Sequence, residues 1–181
     1  MPALRRSESG MRFAYADPPY YGCCRLYGHF HPDGLCWDDL DTHRLLIATL
    51  GADYPAGWAL SLTSTSLRDI LPLCPEGVRV ASWVKPFAAF KRNVRVAYTW
   101  EPVIVYGGRL SSKDGAAPCR DHLSESITLR RGFTGAKPHR FNRWVLDLLG
   151  FIEGDEIDDL YPGTGGMALA LDEPPLPTEA S

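Results

Sequence analysis

No run of apolar residues in this 181-residue chain approaches the ~20 needed to cross a bilayer. The charged opening MPALRRSESG leads into no apolar core of signal-peptide type. A soluble, intracellular protein is therefore expected. Cysteine is sparse and irregular, five residues with one adjacent pair, which is not the spaced set of a disulfide framework. Positive charge is not in excess: 19 basic side chains face 22 acidic ones, for a net charge of −3. That argues against an exposed nucleic-acid glove but leaves room for a local basic patch. There is no internal repeat, and the length suits one domain and hardly two.

What is present is material for a core, since 45% of the residues are hydrophobic. Arginine outnumbers lysine 15 to 4; a guanidinium can fork onto phosphate, although a GC-rich genome gives the same bias. Residues 1–10 read as a polar lead-in, 11–171 as a single domain and 172–181 as a loose, proline-rich tail. Strands are expected over 13–16, 57–62, 78–84, 94–98, 102–106, 127–129 and 156–161. Helices are expected from Asp38–Asp39 to a stop at Gly51, over 65–71, after Lys137-Pro138 to Gly150, and from Met167 to Leu171. Residues 21–37 and 109–126 read as long loops. Strands alternating with helices point to an α/β fold with a largely parallel sheet.

The strand at 13–16 stops at Asp17-Pro18-Pro19-Tyr20. Two prolines remove two N–H donors and fix two φ angles, and each pushes its preceding residue away from helix. The expected result is a stiff, extended loop with a free acid beside an aromatic ring, at the carboxyl end of a strand. Such a loop suits a flat base with an exocyclic amino group; a plain proline turn after an edge strand would share the residues. The strand at 156–161 runs into Pro162-Gly163-Thr164-Gly165-Gly166. Glycines there allow close approach of backbone to a ligand, as would an ordinary turn.

Taken together, these two segments carry a resemblance. Asp17-Pro18-Pro19-Tyr20 is similar to the D-P-P-Y catalytic motif of amino-group DNA methyltransferases. Asp159-Leu160-Tyr161-Pro162-Gly163-Thr164-Gly165 resembles their S-adenosylmethionine motif D-P-F-x-G-S-G-T, with Gly166 where that motif has Thr. Lys137-Pro138 before an amphipathic helix, and the order with the catalytic motif first, look like the permuted subgroup. Trp83-Val84-Lys85-Pro86 and Trp100-Glu101-Pro102 are similar to middle segments of adenine methyltransferases and of the messenger-RNA adenosine methyltransferase family.

The resemblance spans about residues 12–170. It implies a Rossmann-like methyltransferase sheet and methyl transfer from S-adenosylmethionine to the exocyclic nitrogen of adenine, or less readily cytosine, in DNA. It implies that Asp17 and the Pro18 carbonyl accept the amine's hydrogens, that Pro19 stiffens the loop and that Tyr20 stacks on the base. Cofactor contacts would come from Asp17, Asp159, Tyr161, Gly163, Thr164 and Gly165, with Lys137 and Pro138 along the adenosine side. No metal is needed. Single-stranded or distorted DNA is the expected partner, and the cytoplasm of a bacterial or phage-infected cell the expected place.

Relatives continue to an acid about 20 residues past the glycines; here Asp172 and Glu173 come too soon, so the sheet is expected to be truncated at its C-terminal side. That feature favours the second reading: a non-catalytic binding or partner subunit, self-pairing or pairing with another chain through an exposed sheet edge. RNA is the third option. Cys23, Cys24, His29, His31 and Cys36 lack the paired spacing of a structural zinc site and read as loop side chains near a pocket. His43, His122 and Cys119 carry no constellation. Trp58, Trp83 and Trp144 read as core, and Trp100 as either core or base-stacking. Lys91, Arg92 and Arg95, then Arg130, Arg131, Arg140 and Arg143, form two basic clusters that suit solvent or phosphate.

Overall fold

The structure is a computed structural model and describes residues 10–24, 37–87, 93–110, 118–128 and 136–172. Its centre is a six-stranded sheet in the order β5-β3-β4-β2-β1-β6. The strands are β1 (Arg12–Ala16), β2 (Gly57–Ser61), β3 (Arg79–Val84), β4 (Trp100–Gly107), β5 (His122–Ser124) and β6 (Glu156–Asp159). Pairing is parallel for β1 with β2 and β6 and for β3 with β5; only β4 runs against its neighbours. The mostly parallel α/β fold expected from the sequence is therefore correct.

Alternate residues of the central strands enter two separate cores. Phe13, Tyr15, Ala59, Val103 and Val105 pack on one face with α3 (His139–Leu149) and α4 (Gly166–Leu171). Ala14, Ala16, Trp58, Leu60 and Ile104 pack on the other with α1 (Leu40–Asp53). Burial on both faces explains why 13–16 and 57–61 read as continuous apolar runs. Trp58, Trp83 and Trp144 are core residues, as expected. The α3 stripe ends at Gly150, which takes a left-handed φ of 65° and returns its N–H to Leu146 and Asp147.

β6 joins β1 in register, Phe13 opposite Ile157 and Tyr15 opposite Asp159, so the two ends of the chain meet. Asp155, just before β6, fastens this junction. Its Oδ1 accepts from Met11 N (2.7 Å) and Arg109 Nη2 (2.6 Å), and its Oδ2 from Ile152 N (2.9 Å).

Five expectations need correction. α1 passes through Gly51, whose site is open to solvent, and stops at Tyr54, a buried ring whose N–H still reaches Leu50 O. The helix at 65–71 is shorter: α2 (Leu67–Ile70) tightens into a 3-10 turn at Leu71–Leu73. Residues 94–98 form no strand; they are apolar but exposed, Val96 most of all, so no pairing surface orders them. The polar stretch 109–126 contains β5, held by the single buried apolar residue Leu123 against β3. Residues 127 and 128 are not strand, and residue 129, like 25–36 of the first long loop, lies outside the described residues. Among the described residues no helix is long and apolar enough to cross a membrane.

Candidate active site

The parallel pair β1–β6 sends its two chain exits to opposite faces. The chain after β1 leads to α1 on one face, and the chain after β6 leads to α4 on the other. A crevice opens between such diverging loops at the carboxyl ends of the strands. Asp17 and Asp159 both stand there, on neighbouring strands, and so do Tyr20 and the glycine turn.

Asp17 is not the free acid its loop suggested. Its Oδ1 accepts from Tyr20 Oη (2.9 Å) and lies 3.1 Å from Lys137 Nζ. Lys137 also donates to Tyr20 Oη (2.6 Å) and Glu101 Oε2 (3.2 Å), which occupies all three ammonium protons. Glu101 Oε2 lies 3.1 Å from Tyr20 Oη, and its Oε1 takes Lys85 Nζ at 2.7 Å. Two lysines thus balance two carboxylates in a site where both ammonium groups are nearly excluded from water. Rings surround Lys137 Nζ as well, with the centroids of Tyr20, Phe141 and Trp83 at 5.2, 5.6 and 5.7 Å. Asp17 Oδ2 and the Pro18 carbonyl have no hydrogen-bond partner among the described residues.

The network sets the charges. Burial raises the Asp17 carboxyl above its ordinary range; Lys137 opposes this and Glu101 adds to it. Burial also pushes Glu101 up, but Lys137 and Lys85 outweigh it and hold Glu101 down at about 2. Burial would lower Lys137, yet Asp17 and Glu101 keep it firmly protonated. Beneath the loop, Tyr15 Oη and Ser61 Oγ are 3.0 Å apart, and burial keeps the phenol neutral.

On the β6 side, Asp159 Oδ1 accepts from Tyr161 N (3.3 Å), and burial raises its carboxyl, with Asp17 nearby adding a little. Tyr161 meets Trp37 edge-on at 5.5 Å. Gly163 and Gly165 hold left-handed φ angles of 46° and 72°, which side-chain-bearing residues seldom take. A pocket of about 370 Å³ beside this turn is lined by Lys137, His139, Asn142, Thr164, Gly166 and Leu169, among others. A second, of about 200 Å³, lies on the other flank of the catalytic loop against Pro18, Tyr20, His43, Ser61 and Ser66.

The structure thus gathers Asp17, Pro18, Pro19, Tyr20 and Lys137 with the Asp159–Gly165 turn at one edge of the sheet. The Lys137 ammonium binds Asp17, Tyr20 and Glu101. Tyr20 is 9% exposed and anchored by its hydroxyl, because the buried carboxylates need its proton. The network also contains Lys85 and Glu101, to which the sequence reading gave no role; their only signal was their place in the middle segments. Asn142, inside the α3 stripe, gave no signal at all. His43 lies on the buried face of α1, with Nε2 2.9 Å from Trp37 O. Of the basic clusters, Arg140 lies 3.6 Å from Glu125 and Arg143 binds Ala170 O, while 91, 92, 130 and 131 lie outside the described residues. So do His29, His31 and Cys36; among the described residues no three His, Cys, Asp or Glu side chains converge as metal ligands.

The fold is that of a Rossmann-like methyltransferase. M1.HpyAVI, solved as its SAM complex, superposes with a TM-score of 0.55 at 16% identity, over 89% of this chain and 76% of that one. TTHA0409 of Thermus thermophilus, assigned as a DNA modification methylase, matches in two crystal structures, one with S-adenosyl-L-methionine. Both have a TM-score of 0.48, at 18% and 16% identity, over 92% of this chain and 78% of that one. By sequence, neither a family model nor a curated protein matches the chain.

Proposed function

We propose that this protein is an S-adenosylmethionine-dependent methyltransferase that modifies the exocyclic amino nitrogen of adenine in DNA. The observation that carries the reading is the free Oδ2 of Asp17 beside the free Pro18 carbonyl, held rigidly at the carboxyl end of β1 next to the glycine turn after β6. The methyltransferase fold and the SAM-bound neighbour support it.

The residues on the β6 side fit the cofactor. Gly163 and Gly165 keep the turn low, Asp159 offers an acid to an ammonium group, and a pocket adjoins the turn. Tyr161, Thr164, Lys137 and Pro138 complete that side. When bound, S-adenosylmethionine supplies a methyl group on a positively charged sulfur. The protein's own task is to make a poor nucleophile attack it. An exocyclic amine delocalises its lone pair into the ring; accepting its two N–H hydrogens at Asp17 Oδ2 and Pro18 O localises that pair on nitrogen. The N–CH3 bond forms as the S–CH3 bond breaks, and the nitrogen then sheds one proton. Asp17 Oδ2 is placed to take it, and its raised pKa makes it a better base than a solvated aspartate. Lys137 and Tyr20 hold Oδ1, so Asp17 cannot turn away, and positioning of this kind accounts for much of the rate. The base enters on the Pro18–Tyr20 flank, out of its stack or from a single strand.

The test is to incubate the protein with labelled cofactor and separate single- and double-stranded DNA and RNA, then digest each and analyse the nucleosides by mass spectrometry. N6-methyladenine in DNA is expected. Methylated cytosine or methylated RNA would replace the substrate assignment. Cofactor binding without transfer to any of them would leave a partner subunit.

A further inference from the structure

We propose that the Asn142 side chain is a cofactor-binding residue, donating a hydrogen bond from Nδ2 to the carboxylate of the methionine end of S-adenosylmethionine. This assignment rests on the methyltransferase reading and adds to it a contact that none of the motifs contains.

Three observations converge on Asn142. It is 2% exposed, and its Nδ2 has no hydrogen-bond partner among the described residues. A buried amide donor is ordinarily satisfied, and one left unpaired marks a group whose partner is elsewhere. Second, the amide lies over Gly166: a Cβ added there would come within 2.6 Å of Nδ2. Glycine at 166, where the chain departs from the motif its turn resembles, is thus what gives the Asn142 amide its space. Third, the same residue lines the pocket of about 370 Å³ beside the turn, together with Thr164 and Gly166. Among the described residues no acid lines that pocket, and Lys137 is committed to Asp17, Tyr20 and Glu101. A ligand's anionic end placed in it meets neutral donors and no carboxylate. The terminal amide torsion of asparagine is soft, so a small rotation turns Nδ2 from Gly166 into the pocket.

The experiment is calorimetric titration of the full chain with S-adenosylmethionine, beside thermal melts without ligand. Asn142→Leu removes the unpaired donor at similar size, so the unliganded protein is expected to melt about 2–4 °C higher. Its affinity for the cofactor is expected to fall about ten- to a hundredfold, the worth of a hydrogen bond to a charged group. Asn142→Asp, which sets a carboxylate against a carboxylate, should bind more weakly still. Gly166→Ala should weaken binding by displacing the amide, and should have no further effect in the Asn142→Leu background. Wild-type binding with unchanged affinity in Asn142→Leu overturns the assignment while leaving the methyltransferase reading intact. Retained affinity in Asn142→Asp overturns the carboxylate as the partner, since it would mean that the ligand donates. No binding by the wild type overturns both readings together.

Discussion

Lys137 Nζ stands 3.1 Å from Asp17 Oδ1, although 120 residues separate them in the chain (137 − 17). The pair ties the start of α3 to the loop after β1. Lys137 also lines the pocket by the glycine turn, so one residue borders both the Asp17 loop and that turn.

Removing that ammonium leaves two carboxylates facing each other out of water. Lys137→Met should therefore destabilise the protein by about 3–5 kcal/mol, the usual cost of breaking a buried pair from one side. Adding Glu101→Gln should recover part of the loss. Urea denaturation of the two variants checks this; equal stabilities would remove Glu101 from the network.

Asp17→Asn keeps the shape of the site but ends both its acceptor charge and its basicity. Methyl transfer should fall about 10²–10⁴-fold, with folding and cofactor affinity nearly unchanged. Single-turnover transfer with saturating cofactor separates the chemistry from binding.

Acid should act through two groups of opposite sign. Glu101 titrates at about 2 in the folded protein, below its ordinary 4.5. Between those values the unfolded chain takes up a proton that the folded protein refuses. The stability owed to Glu101 is therefore complete above pH 4.5 and is lost as the pH falls toward 2. Melting temperatures should drop over that window in the wild type, and less steeply in Glu101→Gln. Asp17 is shifted the other way, above its ordinary 3.8, so the acid limb of the pH–rate profile should lie higher than a solvated aspartate would place it.

Tyr20→Phe removes the hydroxyl that Asp17 and Glu101 share. Stability should fall by about 1 kcal/mol. The Tyr20 hydrogen bond lowers the Asp17 pKa, so the acid limb of the profile should move further toward neutral pH in the variant. A limb that stays in place would remove the Tyr20 hydroxyl from the groups that set the Asp17 pKa.

Phe13–Ala16 was legible because it is buried on both faces and stops at proline. β6, which is only partly buried, was legible from the proline–glycine turn that ends it. β5 was not legible, since one buried leucine in a polar stretch leaves no period to read. Nor was the Lys85–Glu101–Lys137 network. Each of its members sits at the edge of a different element, and only the folded sheet makes them neighbours. Asn142 escaped for a related reason: inside an apolar helix stripe, one amide reads as a tolerated exception until Gly166 is seen beneath it.

The β1–β6 junction also orders events at the ribosome. Ile157, opposite Phe13, is made 144 residues after it (157 − 13). Until then the loop after β1 lacks the glycine turn beside it, and one edge of β1 has no β6 to bond. A nascent chain holding residues 10–110 can form β1, β2, β3 and β4 and still contain no site. The two sides of the crevice come from segments far apart in the chain, so pairing of β6 with β1 is the step that brings the Asp17 loop and the glycine turn together.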